Sequence, residues 1–502
     1  IELLNRSISY KPTNDSYFER AWVYLDLKRY NLALQDFKAA LASSGNKKLF
    51  DIKASLSYCY YLLGRYRACI ALANEALTEQ PDLILAIYYR GWAFLMLKEW
   101  DAALQDFEHV AKANPRNPQG FYALHLVFFH KGNFPKALEY INYALELQND
   151  NVQYWERKAI VLHKLGRKEE MLSIIEQIIR QPSQNQATWK LIGDLFLDNQ
   201  EYTLAVEYYN KAIEIYHQEL AKDPKYRELQ KEQMHNVYLS RGKAYRALGN
   251  MAQALGDFAQ ALDFKDDSYL AYNQIGALQS QKKNYWEAIE AYSRCFTLKG
   301  DYLEGWEKWG EAYLYLNRPQ EAINILSKAL KLEDVSQKAQ ILSLRGKSYL
   351  LLKDTNKALK DFEEALSEDP ELPSAHIGLG ELFLSQGNYP EAIKKLEYAL
   401  SIENISPEEK ETALLKKAVA HAKLQQFQLA LRELEKASQI NPENVEILEN
   451  LGIVYYHFSD YCQALTYLEK ARNITLAQRK TESTEAQTTR RKILTNHPNP
   501  CK

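Results

Sequence analysis

Ten histidines, five cysteines and 65 acidic residues supply the atoms that a hydrolase or a metal centre would need, so the question is whether any of them converge. His125 and His130 lie five residues apart, which places them on different faces of a helix and not at the i, i+4 spacing of an HExxH site. Glu363 and Glu364 are adjacent, and adjacent helical residues point in different directions, so a solvated helix face explains them better than a carboxylate dyad. Cys59, Cys69, Cys295, Cys462 and Cys501 form no CxxC pair and have no closely spaced histidine. Four of them fall in helical patterns, where a thiol acts as a small hydrophobe, and the set fits a reducing compartment. Nucleophile elbows and phosphate-cradling glycine loops are absent from the sequence. No enzyme, no cofactor and no metal are expected.

Composition narrows the classes further. The 502 residues are 46% hydrophobic and 25% charged, enough apolar material for a large folded body. Lys and Arg number 63 against 65 Asp and Glu, and the net charge of -2 gives no bulk reason to bind nucleic acid or a membrane surface. No apolar run approaches the roughly 18 residues that cross a bilayer, and the N-terminus has no basic segment followed by an apolar core. The expectation is an intracellular, cytoplasmic protein without membrane insertion.

What positions the residues is a repeat. The stretch WAFLMLKEWDAALQDFEHVAKANP, residues 92–115, returns along the chain with a period of about 34. A small residue or its substitute stands at Ala21, Ser57, Gly91, His125, Ala159, Gly193, Gly242, Gly276, Gly310, Gly346, Gly380, Ala418 and Gly452. Twelve residues after each, 11 of 13 positions are alanine, the exceptions being Cys69 and Met171. Two antiparallel helices approach closely only where a side chain is nearly absent, aromatics such as Phe94 and Phe107 fill the space around that contact, and a terminal proline stops the second helix. Each unit then carries an apolar face that only a neighbouring unit can cover.

This pattern resembles the tetratricopeptide repeat, most closely in WEKWGEAYLYLNRPQEAINILSKAL, where Trp306, Trp309, Gly310, Tyr313, Ala322 and Ala329 take the signature offsets and Pro81, Pro115, Pro370 and Pro442 end their units. The resemblance implies an all-α fold, a right-handed superhelical α-solenoid of helix-turn-helix repeats, over about residues 1–474. Residues 1–12 read as the second helix of a truncated repeat, 13–216 as units one to six, 217–235 as an inserted or elongated helical segment around Asp223-Pro224, and 236–475 as units seven to thirteen. Residues 476–502 are polar and aromatic-free and read as a disordered tail. His125 and Met171, in place of small residues, predict a looser or shifted packing between residues 125 and 175.

Function is therefore sought on surfaces. The family binds partners in the inner groove lined by its first helices, and the corresponding positions in the first four units hold Phe18, Trp22, Tyr58, Tyr61, Tyr88, Trp92, Tyr122 and Phe129. Units five to seven place Lys164, Lys190, Lys243 and Arg246 there, and the ninth places Glu304, Glu307 and Glu311. A wall that changes from aromatic to basic to acidic suits an extended or helical protein segment. The chaperone carboxylate clamp would need Asn after the small residue, where Trp22, Tyr58, Trp92 and Leu126 stand instead. The asparagine ladder of the O-linked N-acetylglucosamine transferase would need Asn two residues before it, and only Asn450 qualifies. The leading expectation is a non-enzymatic interaction scaffold or adaptor. The alternative is the sensor or substrate-docking region of a larger enzyme whose catalytic domain lies outside this chain. RNA binding is disfavoured by the balanced charge.

Overall fold

The computed structural model describes residues 1–43, 49–181, 185–332, 337–477 and 483–496, and among them are 28 α-helices and no strand. The chain divides into two compact units, Ile1–Leu248 and Gly249–Lys502. Within each unit the helices follow one another as hairpins, helix A then helix B, and helix A of one repeat packs on helix B of the repeat before it.

Sequence dictates this at three registers. The residue twelve after the small position has no accessible surface at all in any of the thirteen repeats, from Ala33 to Ala464 and including Cys69 and Met171 (0% exposed). Sixteen residues after the small position stands a large side chain, with Ala73 in the second repeat the exception, and where the small residue is glycine it packs directly against it. A Cβ added to Gly91 would stand 2.8 Å from Phe107, one on Gly193 2.7 Å from Tyr209, and one on Gly380 2.6 Å from Leu396. One residue earlier on each helix, Arg20, Arg90 and Arg345 grip the buried carboxylates of Asp36, Asp106 and Asp361 with two parallel bonds from the Nε–Nη2 edge of the guanidinium, at 2.6–3.0 Å. These paired hydrogen bonds fix the crossing of helix A over helix B.

The turn is equally regular. Seven residues after each small position the backbone is left-handed, and in eight of the thirteen turns the residue is not glycine: Lys28, Lys98, Gln200, Lys283, Asn317, Lys353, Gln425 and Ser459, with φ between 56° and 63°. An L side chain in that region is disfavoured by about 1 kcal/mol. Lys98→Gly and Lys353→Gly are therefore expected to stabilise their units by up to that amount each, read as a higher denaturation midpoint; a lower midpoint contradicts the assignment of strain.

Repeat ends follow the proline rule. Helices Tyr66–Glu79, Trp100–Ala113, Thr355–Glu368 and Phe427–Ile440 stop one residue before a non-helical residue, extended in all but Asn114, that precedes Pro81, Pro115, Pro370 or Pro442.

His125 does not loosen its repeat. It is fully buried, and its Nδ1 bonds the backbone carbonyl of Ala137, the alanine register of its own helix B, at 2.9 Å. Between the sixth and seventh small positions the hairpin partners are long, Tyr202–Lys222 and Tyr226–Ala247. Their outer turns are tied in part: Tyr216 and Met234 are buried, and Gln186 reaches both the Met234 sulfur (2.9 Å) and the Tyr226 hydroxyl (3.3 Å). Lys222 to Lys225 stay exposed. We expect trypsin to cut at Lys222 or Lys225 before any repeat; cleavage of the repeats at the same rate would contradict this.

The tail reading is corrected over residues 483–496. Thr484–Asn496 is a helix whose Ala486 and Ile493 are completely buried against Ala464, Leu468 and Tyr455. Two apolar residues seven apart share a helix face, and they are enough to cover the open face of the last hairpin. Ser483 N–H also donates to Glu449 (3.1 Å). Residues 497–502, part of the same expected tail, lie outside the described residues. Cys59, Cys69 and Cys295 are buried thiols that burial pushes well above their usual pKa, to about 11 for Cys59 and about 12 for the other two. Cys462 departs from the packing expected of it, since it is disulfide-bonded.

Candidate functional site

In the first unit the eight aromatic residues expected in the groove are all half-buried, and the helices bring them into two groups of touching rings, Phe18 to Trp92 and Tyr122 with Phe129 through His125, with Tyr88, Trp92 and Tyr122 packed on one hydrophobic cluster. Phe18 and Trp22 clasp the buried Phe37 edge-on, at 5.7 and 6.0 Å, while Tyr88 and Trp92 do the same to Phe107, at 6.1 and 5.6 Å. Trp22 continues to Tyr58 (6.0 Å), and Tyr61 to Trp92 (6.4 Å). Tyr122 stacks on Tyr154 (5.0 Å), and Phe129 meets Phe134 (5.5 Å). Each ring thus packs one edge on the hairpin core and keeps another accessible, which is the geometry by which aromatic side chains offer area at little entropic cost.

Two members of this set were not found from sequence. Tyr89 stacks face to face on Tyr58 at 4.1 Å and reaches Tyr61 at 6.1 Å. Tyr154 carries the rings into the fifth repeat. Both sit at registers that touch the preceding helix A; the signal was a second tyrosine in YYRGW and a tyrosine five residues before Ala159. Burial and the neighbouring phenols push the pKa of Tyr61, Tyr88, Tyr89 and Tyr154 upward, so these hydroxyls stay neutral.

The charged positions behave unequally. Lys164 is exposed, Lys190 is held by Asp194 one turn on at 2.5 Å, and Lys243 and Arg246 are half-buried on Tyr226–Ala247. In the second unit Glu304 accepts from the Tyr302 hydroxyl (2.8 Å) and Glu311 pairs with Lys308 (2.9 Å). Glu307 is half-buried, and desolvation raises its pKa above the usual range. The acidic positions are therefore mostly engaged within their own repeat.

Among the described residues no group of three or more His, Cys, Asp or Glu could hold a metal ion, and no helix is long and apolar enough to cross a membrane. A cleft of about 570 Å³ in the second unit is lined by Lys410, Lys417, Lys436, Glu397 and Glu433, but Lys417 binds Glu397 and Glu433 at 3.0 and 3.4 Å, and Lys436 binds Glu433 at 3.2 Å.

Family models described as tetratricopeptide repeat match residues 15–47, 88–153, 188–218, 242–264, 269–302, 307–373 and 349–403, and one described as TPR repeat matches 419–457. Together they cover well over half of the chain. The chain belongs to the tetratricopeptide-repeat superfamily. Among its TPR relatives is the TPR repeat-containing protein MJ1428 of Methanocaldococcus jannaschii, 24% identical over 82% of this chain and 73% of that protein. BBSome complex member BBS4 of Bos taurus is 26% identical over 79% of this chain and 75% of that protein. Human mitochondrial import receptor subunit TOM70 is 23% identical over 42% of this chain, which spans only 37% of that protein's length. Among solved structures, a chain of the APC/C hetero-tetramer Cut9–Hcn1 superposes with a TM-score of 0.51 at 14% identity, covering 96% of each chain. That likeness shows the TPR solenoid fold.

Proposed function

We propose that this TPR chain is a non-catalytic scaffold or adaptor that captures an extended or helical segment of a protein partner on the ring wall of its first unit and so helps to assemble a multiprotein complex. The observation that carries the reading is the wall itself: ten half-buried or buried rings from Phe18 to Tyr154, touching one another across the first three repeats and again across the fourth and fifth, six of them packed on the hairpin cores. The names of two similar chains, a BBSome complex member and a component of an APC/C hetero-tetramer, support membership of an assembly. The proposed setting is the cytoplasm.

The test is a pull-down from the source organism with quantitative mass spectrometry, comparing the native chain with a Tyr58→Ala, Trp92→Ala, Tyr122→Ala triple variant. A defined partner is expected to be retained by the first and lost by the second. Equal retention by a variant that still folds would move the site off the wall.

A further inference from the structure

The wall ends on a cation. Tyr89, two residues before Gly91, is the ring that reaches back to Tyr58 and Tyr61. The same register two repeats later, two residues before Ala159, holds Arg157, on helix Val152–Lys164 and three residues past the wall tyrosine Tyr154. Its guanidinium is half-buried and close enough to His125 and His130 to bear on both. Both histidines adjoin wall rings, His125 stacking 6.1 Å from Tyr122 and His130 lying 5.9 Å from Phe129.

Glu156 and Glu170 are both engaged with other residues. Glu156 accepts from the Thr188 hydroxyl at 2.7 Å, and Glu170 accepts from Nε and Nη2 of Arg167 at 2.5 and 2.6 Å. Among the described residues no ion pair or hydrogen bond holds the Arg157 guanidinium, in contrast to Arg20 and Arg90, which each have a buried aspartate. The next residue, Lys158, is also half-buried and rests over the Trp155 ring at 5.5 Å, and Lys164 ends the same helix exposed. Beside them the Nε2 of the fully buried His125 has no partner. Partly desolvated positive charge without a counter-ion is unfavourable, and a planar guanidinium is matched best by a carboxylate taken on two parallel hydrogen bonds.

We propose that the occupant of the wall is a peptide segment carrying an aromatic or apolar run followed by a glutamate or aspartate, whose side-chain carboxylate docks on Arg157. This rests on the reading of the wall as the partner surface. Rings fix where the segment lies; Arg157 fixes its direction and its charge, because the wall presents an unpaired cation at this end, whereas Arg20 at the other is held by Asp36.

The probe is a displayed library of random 16-residue peptides selected on the full chain. Selected peptides are expected to combine aromatic residues with an acid on one side. For the tightest of them, Glu→Gln in the peptide should weaken binding to the native chain by about tenfold or more, as loss of a charge-assisted hydrogen bond does, and should leave binding to the Arg157→Gln chain unchanged. Equal weakening on both chains, or none on the native one, overturns the role of Arg157 while leaving the wall in place. Peptides that bind a Tyr58→Ala, Trp92→Ala chain as tightly as the native chain, or a selection that enriches nothing above an unrelated control, overturn the wall and the acidic subsite together.

Discussion

Phe362→Ala is expected to destabilise the second unit by about 3–5 kcal/mol, the range for removing a buried aromatic ring. The ring has no accessible surface and is pinched between two glycines of successive helices A, Gly346, where an added Cβ would stand 2.8 Å away, and Gly378, where one would overlap it. Neither helix can close freely onto the vacated space, because each is already held by its own hairpin, Arg345 by Asp361 and Ile377 by Leu396 and Ala399. Contacts in a repeat stack are between neighbours, so the loss should appear as an early, separate unfolding step in that part of the chain and not as a uniform shift of the whole transition. Thermal unfolding followed by hydrogen exchange resolves the two. A loss below about 1 kcal/mol would mean that the site collapses freely, against the geometry.

Acidification is expected to weaken the first unit by up to about 3 kcal/mol between pH 6.5 and 4. An unfolded histidine takes its proton near pH 6.5, while burial holds the folded His125 at about 4. Between those values the unfolded chain binds the extra proton, so the stability is present in full above pH 6.5 and is lost as the pH falls towards 4. The origin is desolvation, with the nearby Arg157 adding to it and the bond to the Ala137 carbonyl opposing it. His125→Ala restores the residue type found at the same register in Ala21 and Ala159. Its urea-unfolding profile should be flatter over this pH window than that of the native chain. Parallel profiles would show that His125 is not the group responsible.

Sequence revealed the repeating unit because each of its signals is local and periodic: Gly91, Ala103 and Pro115 mark the helix crossing, the helix pair and its end, and the same marks recur down the chain. The wall was legible wherever a ring stands on the helix-A face counted from the small residue, as Trp22, Tyr58 and Trp92 do. Tyr89, Tyr154 and Arg157 escaped because their roles depend on the preceding repeat, and a register counted within one helix cannot see across that gap. The Arg90–Asp106 pair escaped for a related reason, as its 16-residue spacing spans the turn. The helix Thr484–Asn496 was hidden by its composition: a capping helix needs only Ala486 and Ile493 on one face, too few apolar residues to show a period.

The most direct test is hydrogen–deuterium exchange on the full chain, alone and with the partner recovered by pull-down. Added protection is expected in the helices that carry the wall and Arg157, above all in four of them, Leu49–Leu62, Ile84–Met96, Pro118–His130 and Val152–Lys164, with Asn14–Asp26, which carries Phe18 and Trp22, at the edge. Protection confined to the second unit, with these four helices unchanged, would contradict the account.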